Sequence, residues 1–166
     1  RIRYGMVGGG QGAFIGAVHR MAARLDGHWQ LVAGAFQSDP DASRAFGRDL
    51  GLADDRCYGD FAGMARAEAV RPDRIDAVAI VTPNHLHYPV AKAFLSAGID
   101  VICDKPLSVT MDEAYDLVRL VRSSGLVFAV TLNNTGYAMV RQAREMIATL
   151  AGTALPFRYN QLDELR

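Results

Sequence analysis

The sequence predicts an α/β protein, a doubly wound and mostly parallel sheet with helices on both faces. Short apolar runs alternate with longer segments of helical period, most of the runs are apolar throughout, and the 166 residues, half of them hydrophobic, suffice for one core. A parallel strand covered by helices on both faces has no wet side, so it reads as a continuous apolar stretch rather than an alternating one. A chain of this length buries roughly two thirds of its unfolded surface.

Strands are predicted at residues 4–7, 31–36, 75–81, 101–103 and 126–132. The first helix follows from Ile15, Val18, Ala22 and Leu25, which recur at three- and four-residue steps before Gly27. The second opens at Asp39-Pro40, a capping carboxylate and a residue suited to the first turn, and is expected to bury Ala42, Ala45, Phe46 and Leu50 before Gly51. A third runs over residues 88–97 and stops at Gly98. Thr110 and Glu113 have capping-box spacing ahead of Ala114, Leu117, Val118 and Val121. Val140, Ala143, Ile147 and Leu150 mark a last helix. Residues 1–150 therefore read as one domain. Beyond them residues 154–161 supply one more strand, which finishes the sheet or begins a further domain across 151–166.

Eighteen basic and eighteen acidic side chains balance, and no basic face is visible to neutralise a phosphate backbone, so nucleic acid is not expected as a partner. Cys57 and Cys103 have no C-x-x-C spacing, which argues against a disulfide framework or a cysteine zinc site and fits a reducing cytoplasm. The apolar runs are strand-sized, and the first residues lack the charged-then-apolar pattern of a signal peptide, so neither a membrane span nor secretion is expected. Opening on Arg1 rather than methionine reads as a trimmed start.

The first strand runs directly into Gly8-Gly9-Gly10-Gln11-Gly12-Ala13, which contains G-x-G-x-x-A, and a helical pattern follows at once. In this strand–turn–helix setting Gly8 permits a tight turn, Gly10 lets the backbone approach a pyrophosphate, and Ala13 is small enough for close helix packing. The helix N-terminus then offers free N–H groups to phosphate. A dinucleotide, NAD or NADP, is the implied cofactor. The carboxylate expected near the end of the second strand is missing: the chain reads Ala35-Phe36-Gln37-Ser38-Asp39. Gln37 and Ser38 are candidates for a ribose or a 2′-phosphate; alternatively they form a polar turn in which Asp39 only caps a helix.

At the carboxyl end of the next long strand, where ligands of open α/β sheets collect, stands Thr82-Pro83-Asn84-His85-Leu86-His87. Asn84 and His87 are its candidate contacts, against a reading in which Asn84 caps the next helix and both histidines are exposed. Two histidines without a third positioned ligand do not make a metal site. The following strand ends in Cys103-Asp104-Lys105-Pro106. Pro106 biases Lys105 away from helical geometry, and a lysine beside a substrate hydroxyl stabilises developing alkoxide or serves in proton transfer. The alternative is an ordinary solvated lysine.

Taken together, the glycine turn, Thr82-Pro83-Asn84-His85-Leu86-His87 and Asp104-Lys105-Pro106 resemble the Gfo/Idh/MocA family, which includes glucose–fructose oxidoreductase and inositol dehydrogenase. The resemblance covers roughly the first 150 residues, and the stretch holding Asn133, Tyr137 and Arg141 looks like the family's end of the cofactor domain. It implies a Rossmann fold and a glycine turn, Gly8 to Ala13, that binds pyrophosphate. It further implies a loop of Thr82, Pro83 and Asn84 along ribose and nicotinamide, and Lys105 at the active site. Asp104 replaces the family's usual glutamate, and Phe36 sits where many members have the ribose-binding acid, so the choice between NAD and NADP stays open.

Members continue into a second α/β domain carrying substrate contacts, a D-x-x-x-H histidine and much of the oligomer interface. No D-x-x-x-H occurs here: the histidines are His19, His28, His85 and His87. The implied activity is hydride transfer between nicotinamide and a sugar or polyol hydroxyl, with the substrate domain absent from these residues and a homo-oligomer compatible with the family. The competing reading is a non-enzymatic dinucleotide-binding module, a redox sensor or a subunit that lends its cofactor site.

Overall fold

The computed structural model describes residues 1–150 and forms two compact units, Arg1–Thr131 and a second that begins at Leu132. The first unit is built on five parallel strands: β1 (Ile2–Gly8), β2 (Trp29–Ala35), β3 (Ala77–Val81), β4 (Asp100–Cys103) and β5 (Phe128–Val130), in the order β2-β1-β3-β4-β5. Each predicted strand is present, and all pair in parallel as the uninterrupted apolar runs require. The strand expected at residues 154–161 lies outside the described residues.

Side chains of β3 show why the runs are apolar on both faces. Val78 and Ile80 enter one layer with Met64, Val90, Phe94 and Leu117, while Ala79 and Val81 enter the other with Tyr4, Met6, Phe36 and Ile15. Helices α3 (Phe61–Val70), α4 (His87–Ser96) and α5 (Met111–Ser124) cover the first face, and α1 (Phe14–Arg24) and α2 (Pro40–Asp49) the second. The predicted caps form. Asp39 accepts from the Ala42 N–H at 2.7 Å, and Thr110 and Glu113 make both halves of a capping box.

Two expectations are corrected. In α1 the periodicity turns Val18, Ala22 and Leu25 inward, yet all three are exposed, Leu25 at 83 %, and the inner side is carried by Ile15, Gly16 and Ala23. The reason is Gly16, whose backbone lies on that of Gly9 and rotates the helix accordingly. In α2 Ala45 is exposed, and the buried positions are Ser43 and Gly47. Ser43 Oγ accepts from the Phe36 N–H at 2.8 Å and donates to the Tyr58 carbonyl at 2.6 Å, so a hydroxyl is satisfied inside rather than solvated.

Helix α3 is one for which the apolar pattern makes no prediction. Its residues are mostly small, and its inward side includes a carboxylate, Glu68, fully buried. Arg56 clasps that carboxylate with two hydrogen bonds, at 2.6 and 3.2 Å, and the Tyr58 hydroxyl and the Ile75 N–H donate to it at 2.8 and 3.0 Å. Every oxygen is paired, which is what allows a charge to sit there.

The second unit holds a 3-10 turn, Asn133–Gly136, and helix α6 (Ala138–Leu150). Val140 and Ile147, apolar marks of that helix in the sequence, are about half exposed. No helix among the described residues is long and apolar enough to cross a membrane.

Candidate functional site

The order of the sheet brings three loops together. Gly8 at the end of β1 pairs with Val81 at the end of β3, and Ile80 pairs with Cys103 at the end of β4. The chain therefore leaves the sheet three times, side by side, at the point where strand order reverses between β1 and β3, the place at which open α/β sheets form a crevice.

Gly8, Gly9 and Gly12 adopt φ of +83°, +71° and +78°, which side-chain-bearing residues rarely take. A Cβ on Gly8 would stand 2.8 Å from the Val81 carbonyl oxygen, so the turn is available only to glycine. Ala13 N–H donates to the Gly10 carbonyl at 3.0 Å, and the Arg20 guanidinium donates to that of Gly9 at 2.9 Å, fixing the loop from inside. Helix α1 then starts with no side-chain cap and no acid in its first turn, whereas Asp39, Asp60 and Thr110 cap α2, α3 and α5. The first N–H groups of α1 are left for something else. Gln11 and Gly12 are exposed.

Close packing of helix on turn, which the motif assigns to Ala13, belongs to Gly16: a Cβ there would meet the Gly9 carbonyl oxygen at 2.6 Å. Ala13 is only half-buried. The signal was a second glycine three residues along, masked because Gly12 and Ala13 already complete a familiar spacing. Gly10 also has an internal reason to be glycine, since its Cβ would stand 2.9 Å from the Phe36 carbonyl oxygen and would also strike the Gln37 side chain.

Gln37 therefore lies against the glycine turn, its amide donating to the Ala42 carbonyl at 3.3 Å, and Ser38 is exposed beside it. Asp39 acts as the cap of α2. Phe36 is buried, its ring edge-on to Phe46 at 5.2 Å between centroids.

In the second loop Pro83 and Asn84 are exposed, and Asn84 opens a 3-10 turn, Asn84–Leu86, without capping α4. Thr82 Oγ1 is buried with no hydrogen-bond partner among the described residues. His85 is exposed, whereas His87 is 1 % exposed. Its Nδ1 lies 2.6 Å from the Pro106 carbonyl oxygen and its Nε2 3.0 Å from that of Thr82. Grouping His87 with direct cofactor contacts is corrected on this geometry: the ring is buried and each of its nitrogens faces a backbone carbonyl. Among the described residues no three His, Cys, Asp or Glu side chains gather as metal ligands would.

The third loop is anchored at Asp104. Its N–H donates to the Ile80 carbonyl at 2.9 Å, and its Oδ1 accepts from the Thr131 hydroxyl at 2.7 Å. His19 Nε2 of α1 stands 3.9 Å from the same oxygen, and burial holds this imidazole below its ordinary value although Asp104 pulls the other way. No spacing in the sequence joins His19 to Asp104, which stand 85 residues apart in the chain. Lys105 is exposed, and its peptide to Pro106 is cis. Cys103, beneath it, is fully buried. Asn133 stands exposed in the second unit, in the Asn133–Gly136 turn.

Known proteins resemble this chain over most of its length. An oxidoreductase from Sinorhizobium meliloti is 59 % identical with a TM-score of 0.84 over 90 % of this chain and 41 % of that one. An inositol dehydrogenase homologue from Azotobacter vinelandii, solved with NADH and myo-inositol, is 44 % identical with a TM-score of 0.86 over 90 % and 40 %. An uncharacterised oxidoreductase of Bacillus subtilis, YfiI, is 42 % identical over 147 residues, 88 % of this chain and 37 % of that protein. The chain thus spans about two fifths of the length of these relatives. Residues 2–132 match the family model described as an oxidoreductase family with NAD-binding Rossmann fold, and the chain belongs to that family, Gfo/Idh/MocA.

Proposed function

We propose that this chain is the dinucleotide-binding part of a dehydrogenase that moves hydride between nicotinamide and a hydroxyl-bearing carbon of a sugar or cyclitol. The substrate-binding part then lies in the stretch of its relatives that this chain does not span. The observation that carries the reading is the side-by-side exit of the Gly8, Thr82 and Asp104 loops at the reversal point of the sheet. The myo-inositol held with NADH by the Azotobacter vinelandii homologue supports the substrate class.

The residues fit the cofactor. The turn admits only glycine at Gly8, helix α1 begins with uncapped N–H groups, and a buried Thr82 hydroxyl has no partner among the described residues. Bound nicotinamide supplies the hydride acceptor or donor. Gly8, Gly9, Gly10, Gln11, Gly12 and Ala13 hold the pyrophosphate through backbone N–H groups, assisted by the dipole of α1. Gln37 and Ser38, at the end of β2, face the adenosine ribose, and no carboxylate of theirs repels a 2′-phosphate. Thr82, Pro83 and Asn84 line the nicotinamide half, and the family resemblance makes Asn133 a further cofactor-binding candidate.

Lys105 is the catalytic residue in this reading. In oxidation its neutral amine accepts the hydroxyl proton, and in reduction its ammonium stabilises the developing alkoxide and returns that proton, while Asp104 keeps the loop in place. A positioned acid or base of this kind contributes about 10²- to 10⁴-fold. In the whole protein Lys105→Met should cut turnover by that order and leave NADH affinity nearly unchanged. Unchanged turnover would remove Lys105 from the mechanism, and absence of NAD(H) and NADP(H) binding by calorimetry would overturn the reading as a whole.

A further inference from the structure

Lys105 is exposed, and among the described residues its ammonium makes no hydrogen bond or ion pair, so its position is inherited from its neighbours. On one side Asp104 is secured to β3 and to Thr131. On the other, the Pro106 carbonyl oxygen lies 2.6 Å from Nδ1 of the His87 imidazole. That ring is buried at the start of α4, and its second nitrogen faces the Thr82 carbonyl at 3.0 Å. A neutral imidazole has one N–H, so which carbonyl receives it depends on the tautomer, and both contacts are hydrogen bonds only when both nitrogens are protonated.

We infer that His87 is a positioning residue. It ties the loop that carries Thr82 and Asn84 to the loop that carries Lys105, and so sets the location of the Lys105 amine without touching cofactor or substrate. The inference rests on the reading of Lys105 as the catalytic group. Its physical core is simple: two loops that leave different strands, β3 and β4, close on one buried imidazole, so replacing that ring removes the N–H one carbonyl receives and the packing surface both share. A fully buried ring at 1 % exposure has no solvent to replace either partner.

The chain has two lysines, Lys92 and Lys105, which makes the test direct. Reductive methylation with ¹³C-formaldehyde preserves their charge and labels them and the amino terminus, giving three resolved signals. Lys92 lies on α4 itself, bonded to Tyr88 and Asp116, and reports whether the helix as a whole is disturbed. In His87→Phe, which keeps a ring but no donor, the Lys105 signal should shift or split while that of Lys92 stays in place. His87→Asn retains an N–H within reach of one carbonyl and should return the Lys105 signal toward its original position. A folded His87→Phe whose Lys105 signal is unmoved overturns the inference, as does movement of Lys92 equal to that of Lys105. Should His87→Phe not fold by circular dichroism, His87→Asn and His87→Gln decide: a Lys105 signal identical to wild type in both overturns it.

NADH added to the unsubstituted protein separates the two claims. A Lys105 signal that ignores saturating NADH counts against Lys105 at the nicotinamide and leaves the tie through His87 to be judged by the variants alone.

Discussion

The backbone of Gly16 lies on the backbone of Gly9, so close that a Cβ on Gly16 would stand 2.6 Å from the Gly9 carbonyl oxygen. Backbone cannot swing aside as the end of a long side chain does. Gly16→Ala should therefore lose about 1–3 kcal/mol of stability, the range for forcing an extra methyl into a packed interior, and displace the glycine turn, weakening NADH binding. Gly51→Ala is the control, for its Cβ meets nothing within 4 Å and only its φ of +78° is unfavourable, costing about 1–2 kcal/mol. Urea denaturation with calorimetric NADH titration separates them. If Gly51→Ala weakens NADH as much as Gly16→Ala, the close approach is not what shapes the turn.

Glu68 supports the opposite end of the sheet. Buried entirely, it takes hydrogen bonds from Arg56, Tyr58 and the Ile75 N–H. Removing one partner of such a pair strands the other charge, at a cost of about 3–5 kcal/mol. Arg56→Met is expected to fall in that range by chemical denaturation, and Arg56→Met with Glu68→Leu to recover much of it. A single variant within about 0.5 kcal/mol of wild type, the level of an ordinary surface change, would show that the pair is dispensable.

The strands and caps were legible because they follow from local rules: continuous apolar runs at β1 to β5, Asp39 and Thr110 at helix starts. The inner face of α1 was not, because Val18, Ala22 and Leu25 satisfy helical period as well as the true face does. What decides between the two is the contact of Gly16 with Gly9, a tertiary event. Helix α3 was hidden for a related reason, its inward side bearing Glu68 where a pattern of hydrophobicity expects an apolar residue. In the site, the loops themselves were visible as motifs. The ties between them, His87 to Pro106 and His19 beside Asp104, join residues on different strands and helices, and no spacing records them.

Cys103 gives a prediction about pH. Burial pushes its thiol up to about 12 from an ordinary 9.0, and the neighbouring Asp104 adds to the effect. The folded chain thus holds this proton more tightly than the unfolded chain does. Stability from this group is complete below about pH 9 and is lost as pH rises toward 12. Thiolate is the reactive form, so Cys103 should ignore Ellman's reagent at pH 8 until the protein is denatured. Cys57, also buried and also raised, should behave alike. Prompt labelling of Cys103 in the folded protein would mean that the end of β4 opens far more readily than its packing implies. Cys103→Ser should flatten the alkaline loss of stability.

Gly10 is held to glycine by two separate demands, and they can be divided. Its Cβ would meet the Phe36 carbonyl oxygen at 2.9 Å and the Gln37 side chain, both part of the protein, while the motif assigns Gly10 to the approach of a pyrophosphate. Loss of NADH affinity in Gly10→Ala is therefore ambiguous alone. Gln37→Ala removes one internal obstacle and leaves the Phe36 carbonyl. In a double-mutant cycle, Gly10→Ala with Gln37→Ala should be more stable than the sum of the two singles, since residues in contact couple by about 0.5–3 kcal/mol. Binding should not recover in step: NADH affinity of the double variant should stay well below that of Gln37→Ala, because the new methyl still faces the phosphates. Recovery of stability and affinity together would assign Gly10 to packing against β2 alone and place the pyrophosphate elsewhere along the turn.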